Sequence, residues 1–240
     1  MFNGRSKSAI SAIILIVGSV MCICGQSTSA VTELDPAFAI GLEVNRGVRF
    51  DFYSGREKSE EIHAGRNKVG IGVSFRTKPL FKRFLEALDT DKQARLVVAA
   101  IYEYSVAAEP DAKTIEHRAI VDGTVRYVFP RDVMFSDRSR IEFRWLNGNY
   151  HVRYQNRPML ERPFRFLKRD ITPYVSGTAS WDQRYREWNI FKFSSGIVVP
   201  LWRRLSVDVL YERQHCTTCA DPHINIFGMT LNVNLRLKRK

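Results

Sequence analysis

Apolar and polar residues alternate one by one along most of this chain, most clearly over residues 138–157. Ile141, Phe143 and Trp145 share one face of an extended strand there, and the positions between them are charged. A period of two residues is typical of a β-strand with one apolar face. Because the alternation continues beyond Asn147-Gly148, the stretch predicts two such strands in succession.

Asn147-Gly148 predicts the turn between these strands, since Asn-Gly is the strongest short signal for a two-residue hairpin. Folding the chain there sets apolar positions opposite apolar ones and polar positions opposite polar ones. The predicted pairs are Trp145 with Tyr150, Phe143 with Val152, Ile141 with Tyr154, Arg144 with His151, Glu142 with Arg153, and Arg140 with Gln155. A slip of one residue would destroy every match.

Similar alternation elsewhere predicts about ten strands, within a range of eight to twelve, each roughly ten residues long or more. Residues 38–52 are expected to form one long strand, or two strands in line with a bend near Gly47. Residues 54–67 are expected to be a polar loop. The helical spacing of apolar residues within 78–91 predicts a short amphipathic helix.

Such strands fit either a soluble sandwich, with apolar faces packed inward, or a membrane barrel, with apolar faces toward lipid. Long strands, arginine-rich polar faces and aromatic residues near strand ends favour the barrel. The predicted fold is therefore all-β, an antiparallel up-and-down transmembrane β-barrel formed by residues 31–240 as one domain. An even strand count would bring both ends of this domain to the same side. A soluble lipocalin-like binding protein, the alternative, would have an apolar pocket inside.

Residues 1–30 predict an N-terminal signal peptide and hence export to the bacterial outer membrane. Arg5 and Lys7 form a basic start, an apolar stretch runs from Ala9 to Cys24, and the small residues Thr28-Ser29-Ala30 offer a cleavage site. A membrane anchor is the alternative, for which the apolar stretch is short. Cleavage would lower the net charge from +12 to +10, because two basic residues and no acidic ones are removed.

The remaining positive charge is spread through the alternating strands and forms no single basic run. Nucleic acid is not expected as a partner, since exported chains rarely meet it. The expected partners are outer-membrane lipid and lipopolysaccharide, whose phosphates suit arginine, and the barrel-assembly machinery during insertion. The barrel is expected to be a monomer without a cofactor.

The polar faces of the predicted strands supply a charged set that should point into the lumen. Its members are Arg118, Arg126, Arg138, Arg140, Glu142, Arg144, His151, Arg153, Arg157, Asp208 and Glu212, and Arg236 shares their parity. Such a set could form an anion-favouring interior or a packed core of ion pairs in which Asp122 also takes part. The packed core is favoured, because side chains largely fill a narrow barrel.

Cys216 and Cys219 are the cysteines left after cleavage, and their surroundings allow three interpretations. With His215 and His223 they could supply four zinc ligands, or they could form a redox-active dithiol. The oxidising compartment favours a structural disulfide that pins an exposed hairpin loop. We therefore expect a Cys216–Cys219 disulfide and no metal.

Enzymatic activity is not expected. A hydrolase of membrane lipids would need a serine beside a histidine on the lipid face, whereas His151 belongs to the lumen face and no G-x-S-x-G motif occurs. His63 and His117 lack ligand spacing. A lipid-modifying barrel enzyme is thus an alternative to a structural barrel or a narrow basic-lumen, porin-like channel.

Four segments of the chain resemble the domain-of-unknown-function family 2490. They are residues 138–144 (RSRIEFR), 151–157 (HVRYQNR), 171–177 (ITPYVSG) and 205–211 (LSVDVLY). The resemblance extends roughly over residues 94–237. It implies an exported bacterial outer-membrane β-barrel without an assigned activity, and it brings no catalytic residues.

Overall fold

The computed structural model describes residues 31–58, 65–77, 94–107, 114–166, 169–202, 204–219 and 222–237. The strands are β1 (Val31–Asn45), β2 (Val48–Lys58), β3 (Gly65–Arg76), β4 (Leu96–Ala107), β5 (Ile115–Phe129), β6 (Val133–Leu146), β7 (Asn149–Glu161), β8 (Phe164–Phe166), β9 (Arg169–Asp182), β10 (Glu187–Trp202), β11 (Leu205–Cys216) and β12 (His223–Arg236). A 3-10 turn, Pro130–Asp132, joins β5 to β6. The predicted all-β class is confirmed. Among the described residues, no helix is long and apolar enough to span a membrane.

The strands close into a barrel, as predicted. Each strand pairs antiparallel with the next, except that β7 pairs with β9 and the short β8 pairs only with β9 in the described chain. The barrel closes where β12 meets β1, and this pair is parallel. Eleven described strands therefore form the wall, a number within the predicted range.

The even strand count expected from the sequence is wrong, because residues 38–52 are neither one strand nor two in line. The chain reverses at Arg46-Gly47, and Ile40 of β1 lies opposite Phe52 of β2. The Asn45 side chain stabilises this turn by accepting a hydrogen bond from the Gly47 amide at 2.8 Å. Apolar residues keep the same parity on both sides of the two-residue turn, so periodicity alone does not reveal the reversal.

The two ends of the barrel are defined by the strands that begin or end there. The N-terminal rim holds the start of β1, the ends of β2, β4, β6, β9 and β11, and the starts of the strands that follow these. The C-terminal rim holds the end of β12 and the opposite ends of the other wall strands. Because β1 and β12 are parallel, the two ends of the described domain lie at opposite rims, and the expected same-side placement is wrong.

Two other sequence-based expectations concern segments next to the strands. Much of the predicted 54–67 loop is strand, because β2 continues to Lys58 and β3 begins at Gly65. The predicted helix within residues 78–91 and the predicted signal peptide, residues 1–30, lie outside the described residues.

The register predicted for the β6–β7 hairpin is confirmed at all six pairs, including Glu142 opposite Arg153 and Trp145 opposite Tyr150. Asn147 and Gly148 both have positive φ, 49° and 84°, as a type I′ turn requires. Local sequence therefore determines this hairpin, which supplies seven residues to the lining of the lumen.

Apolar side chains point outward from the wall and charged ones point inward. Ile71, Val121 and Phe193 are 58%, 46% and 47% exposed, whereas Glu116 and Arg144 are almost completely buried. A soluble sandwich or a lipocalin-like barrel would show the opposite polarity, with its apolar face inside.

Exposed aromatic rings lie near each rim, and others, such as Phe52 and Phe193, lie between the rims. At the N-terminal rim, the Trp145–Tyr150 and Tyr211–Phe227 ring centroids are 5.4 and 5.3 Å apart. The exposed rings near the C-terminal rim include Phe50, Phe75, Tyr127, Phe129 and Trp202.

Replacing Gly148 with alanine should lower the free energy of unfolding by about 1 kcal/mol, because an L side chain is strained at φ 84°. Gly123→Ala is the matched control: Gly123 lies in an extended strand, and an added Cβ there would meet nothing within 4 Å. Urea unfolding of both variants measures the difference. Equal effects at the two positions would contradict the type I′ turn.

Candidate functional site: the charged lumen

A cavity of about 310 Å³ lies inside the barrel, and each of the eleven wall strands contributes to its lining. Ten basic side chains and five acidic ones line it among the described residues. The basic ones are Arg56, Arg66, Lys68, Arg118, Arg138, Arg140, Arg144, Arg153, Arg157 and Lys192; the acidic ones are Asp35, Glu57, Glu103, Glu142 and Glu212. The lining alone therefore carries an excess of positive charge.

Glu116 of β5 is the acid around which the N-terminal half of the lumen is organised. Its side chain is fully buried and pairs with three arginines from three strands: Arg66 of β3, Arg118 of β5 and Arg144 of β6. The Arg118–Glu116 distance is 2.7 Å. Because one carboxylate meets three guanidinium groups, these strands are joined by charge as well as by backbone hydrogen bonds.

Arg118 extends this cluster to two further acids. It donates to Glu103 at 2.8 Å and lies 3.2 Å from Glu57, which also binds Lys68 at 2.5 Å. The Tyr53 hydroxyl donates to Glu103 at 2.8 Å. The cluster thus continues across β2, β3, β4 and β5.

Two arginines of the β6–β7 hairpin, Arg140 and Arg153, are paired with acids from neighbouring strands. Arg140 binds Asp122 with two parallel hydrogen bonds of 2.7 and 2.8 Å, a bidentate geometry that gives strong ion pairs. Arg153 donates to Asp182 at 3.0 and 3.3 Å, and Asp182 also accepts from Arg184 at 2.8 Å. The charge of Arg153 is therefore balanced from β9, outside the hairpin.

A third group of contacts closes the side of the lumen formed by β9, β10 and β11. Lys192 lies 3.2 Å from Glu212, and Ser194 donates to the same carboxylate at 2.7 Å. The Tyr174 hydroxyl donates to Asp208 at 2.9 Å.

Eight of the eleven charged or polar residues predicted to face the lumen line this cavity: Arg118, Arg138, Arg140, Glu142, Arg144, Arg153, Arg157 and Glu212. His151 is buried on the same inner face, and Asp208 accepts from Tyr174. Arg126 donates to the Ala94 carbonyl at 3.3 Å, near the C-terminal rim. Arg236 lies at that rim, where it pairs with Glu43 at 3.1 Å.

Sequence reasoning missed several members of the charged set. Glu57 and Arg66 fall within residues 54–67, which were expected to form a loop, and Lys68 directly follows that segment. Asp182 is the last residue of β9 and was not in the predicted set. The inward orientation of Glu57 could have been predicted from the alternation, because Glu57 and the inward-pointing Tyr53 lie on the same face of one continuous strand.

The cysteines form a Cys216–Cys219 disulfide with a Cα–Cα distance of 5.4 Å at the N-terminal rim. The rings of His215 and His223 stack on the outer face with centroids 4.8 Å apart. Since neighbouring strand residues point to opposite faces, His215 points away from the buried Cys216. The four candidate zinc ligands do not converge, and no metal-binding group of side chains occurs in the described ranges.

Two small groups of polar side chains lie on the outer surface of the described strands. The outward Ser139 contacts the Tyr154 hydroxyl at 3.2 Å and Asn156 at 3.4 Å. His117 contacts the Tyr102 hydroxyl at 2.6 Å. None of these contacts joins a serine to a histidine.

Replacing Glu116 with glutamine should lower the free energy of unfolding by about 3 kcal/mol, because it leaves buried arginines without their counter-charge while keeping the side-chain shape. Asp170→Asn is the control: Asp170 pairs with Arg165 at 3.1 Å, but both side chains are mostly exposed. Its loss should cost less than about 1 kcal/mol. Equal small losses in urea unfolding would show that the lumen charges are hydrated individually and are not coupled.

Comparison with known proteins gives no family assignment: no protein-family model matches the chain, and no curated protein matches it. Membership in the domain-of-unknown-function family 2490 stays a prediction from the residues.

Proposed function

We propose that this chain is a bacterial outer-membrane β-barrel whose lumen is largely closed by buried ion pairs, with a structural rather than a catalytic role. The proposal rests on one observation above all: the polarity of the wall, apolar outside and charged inside. In water, some thirty exposed large apolar side chains would be costly. In lipid the same surface is stable, and exposed aromatic rings lie near both rims, as in a membrane barrel.

Polar residues on the outer surface are compatible with this proposal, because they bind one another. Asn156 donates to Asp137 at 2.8 Å and to Ser139 at 3.4 Å. Ser139 also contacts the Tyr154 hydroxyl. A polar group in lipid is tolerated when the protein supplies its hydrogen-bond partner.

The paired lumen charges favour a closed barrel over an open pore. A wide channel would leave room for water between separated strands, whereas here Arg118 of β5 reaches Glu57 of β2, and Arg66 of β3 reaches Glu116 of β5. The resemblance to family 2490 supports the same assignment. Lipid and lipopolysaccharide are the proposed partners of the mature monomer, and the barrel-assembly machinery would insert it.

Two arginine substitutions on β5 test whether lipid covers the outer surface. Val121 lies at mid-height and Phe129 is the last residue of the strand, and both point outward, 46% and 51% exposed. In lipid, Val121→Arg should weaken folding by ~2–4 kcal/mol and Phe129→Arg by ~0–1 kcal/mol, because the cost of a charge depends on depth. Urea-dependent folding into phosphatidylcholine vesicles measures both.

The control is the same pair of residues changed to leucine, which keeps the surface apolar. A water-facing wall would give small and equal losses for the two arginine variants. That result would contradict the membrane assignment.

A further inference from the structure

Nearly all the lumen charges described above have a partner of opposite sign. Arg118, Arg140 and Lys192 each contact a carboxylate within 3.2 Å. A lumen arginine that forms no ion pair therefore indicates a candidate ligand site, since an unpaired guanidinium away from bulk water is unfavourable.

Arg138 and Arg157 are two such arginines. They lie directly opposite each other on β6 and β7, and both side chains line the cavity. In the part of the chain that the structure describes, neither forms an ion pair; Arg157 donates to the Ser176 hydroxyl at 3.2 Å. Asp122 of the neighbouring strand β5 binds Arg140 with both carboxylate oxygens.

Two like charges directly opposite on adjacent strands destabilise a sheet. The repulsion would be relieved by an anion between them. Guanidinium groups are planar forks that match the oxygens of phosphate or carboxylate, and they remain charged at all relevant pH values.

We propose that Arg138 and Arg157 form a binding site for a small oxyanion, a phosphate or carboxylate group, inside the barrel. Gln155 and Thr178 line the same cavity and offer neutral hydrogen-bond donors. The volume of about 310 Å³ accommodates an anion of phosphate size with water, but not a large solute. The site lies inside the wall, so it does not depend on whether lipid or water covers the outer surface.

Inorganic phosphate is the probe that tests the site. Calorimetric titration of the folded, full chain in detergent micelles, in chloride buffer at constant ionic strength, should give about one bound phosphate per chain. Arg138→Gln and Arg157→Gln should each weaken binding at least about tenfold, since each removes a charged hydrogen-bonding partner. Arg165→Gln is the matched control for loss of one positive charge, because Arg165 is exposed and paired outside the lumen.

Thermal unfolding separates binding from folding. Without phosphate, Arg138→Gln and Arg157→Gln should melt at or above the wild-type temperature, because the repulsion between the two arginines is removed. With phosphate, the melting temperatures of the wild type and of Arg165→Gln should rise. Those of Arg138→Gln and Arg157→Gln should not. Arg157→Lys should retain weaker binding, since it keeps the charge and loses the fork. Absence of phosphate binding by the wild type, or equal weakening by Arg165→Gln, would overturn the proposal.

Discussion

Neutralisation of charge inside the barrel is the constraint on which the rest of the structure depends. A buried guanidinium is tolerated when acids surround it, and here Glu116 meets three arginines and Asp182 meets two. These contacts cross strand boundaries, so the position of each strand in the wall also determines which charges meet. The order of the strands in the wall therefore also determines the pairing of charges in the lumen.

The charged lumen also explains why the outer surface is apolar. Because alternate residues point to opposite faces, filling the lumen with charge turns the apolar half of every strand outward. Val121 and Phe193 are exposed for this reason, and they are not defects in a soluble core. The few outward polar groups, such as Asp137 and Asn156, form hydrogen bonds with each other along the wall. An apolar surrounding is the environment in which both faces are satisfied.

Local patterns predicted part of this arrangement, and long-range pairing decided the rest. The β6–β7 register could be predicted because Asn147-Gly148 defines the turn and the matched faces exclude a slip. The β1–β2 reversal at Gly47 has no comparable signal, since parity is unchanged across it. Asp182 on β9 binds Arg153, and no sequence pattern indicated this contact because the two residues belong to different hairpins. Which acid a lumen arginine meets depends on strand neighbours that are distant in the chain, as with Arg66 and Glu116.

The central claim is that this inverted wall is stable because lipid covers it. Sedimentation of the purified segment of residues 31–240, with and without detergent, tests that claim most directly. The account predicts a monodisperse monomer in detergent micelles and aggregation when detergent is removed, since the exposed apolar belt would then meet water. A folded, monodisperse chain in detergent-free buffer would contradict it.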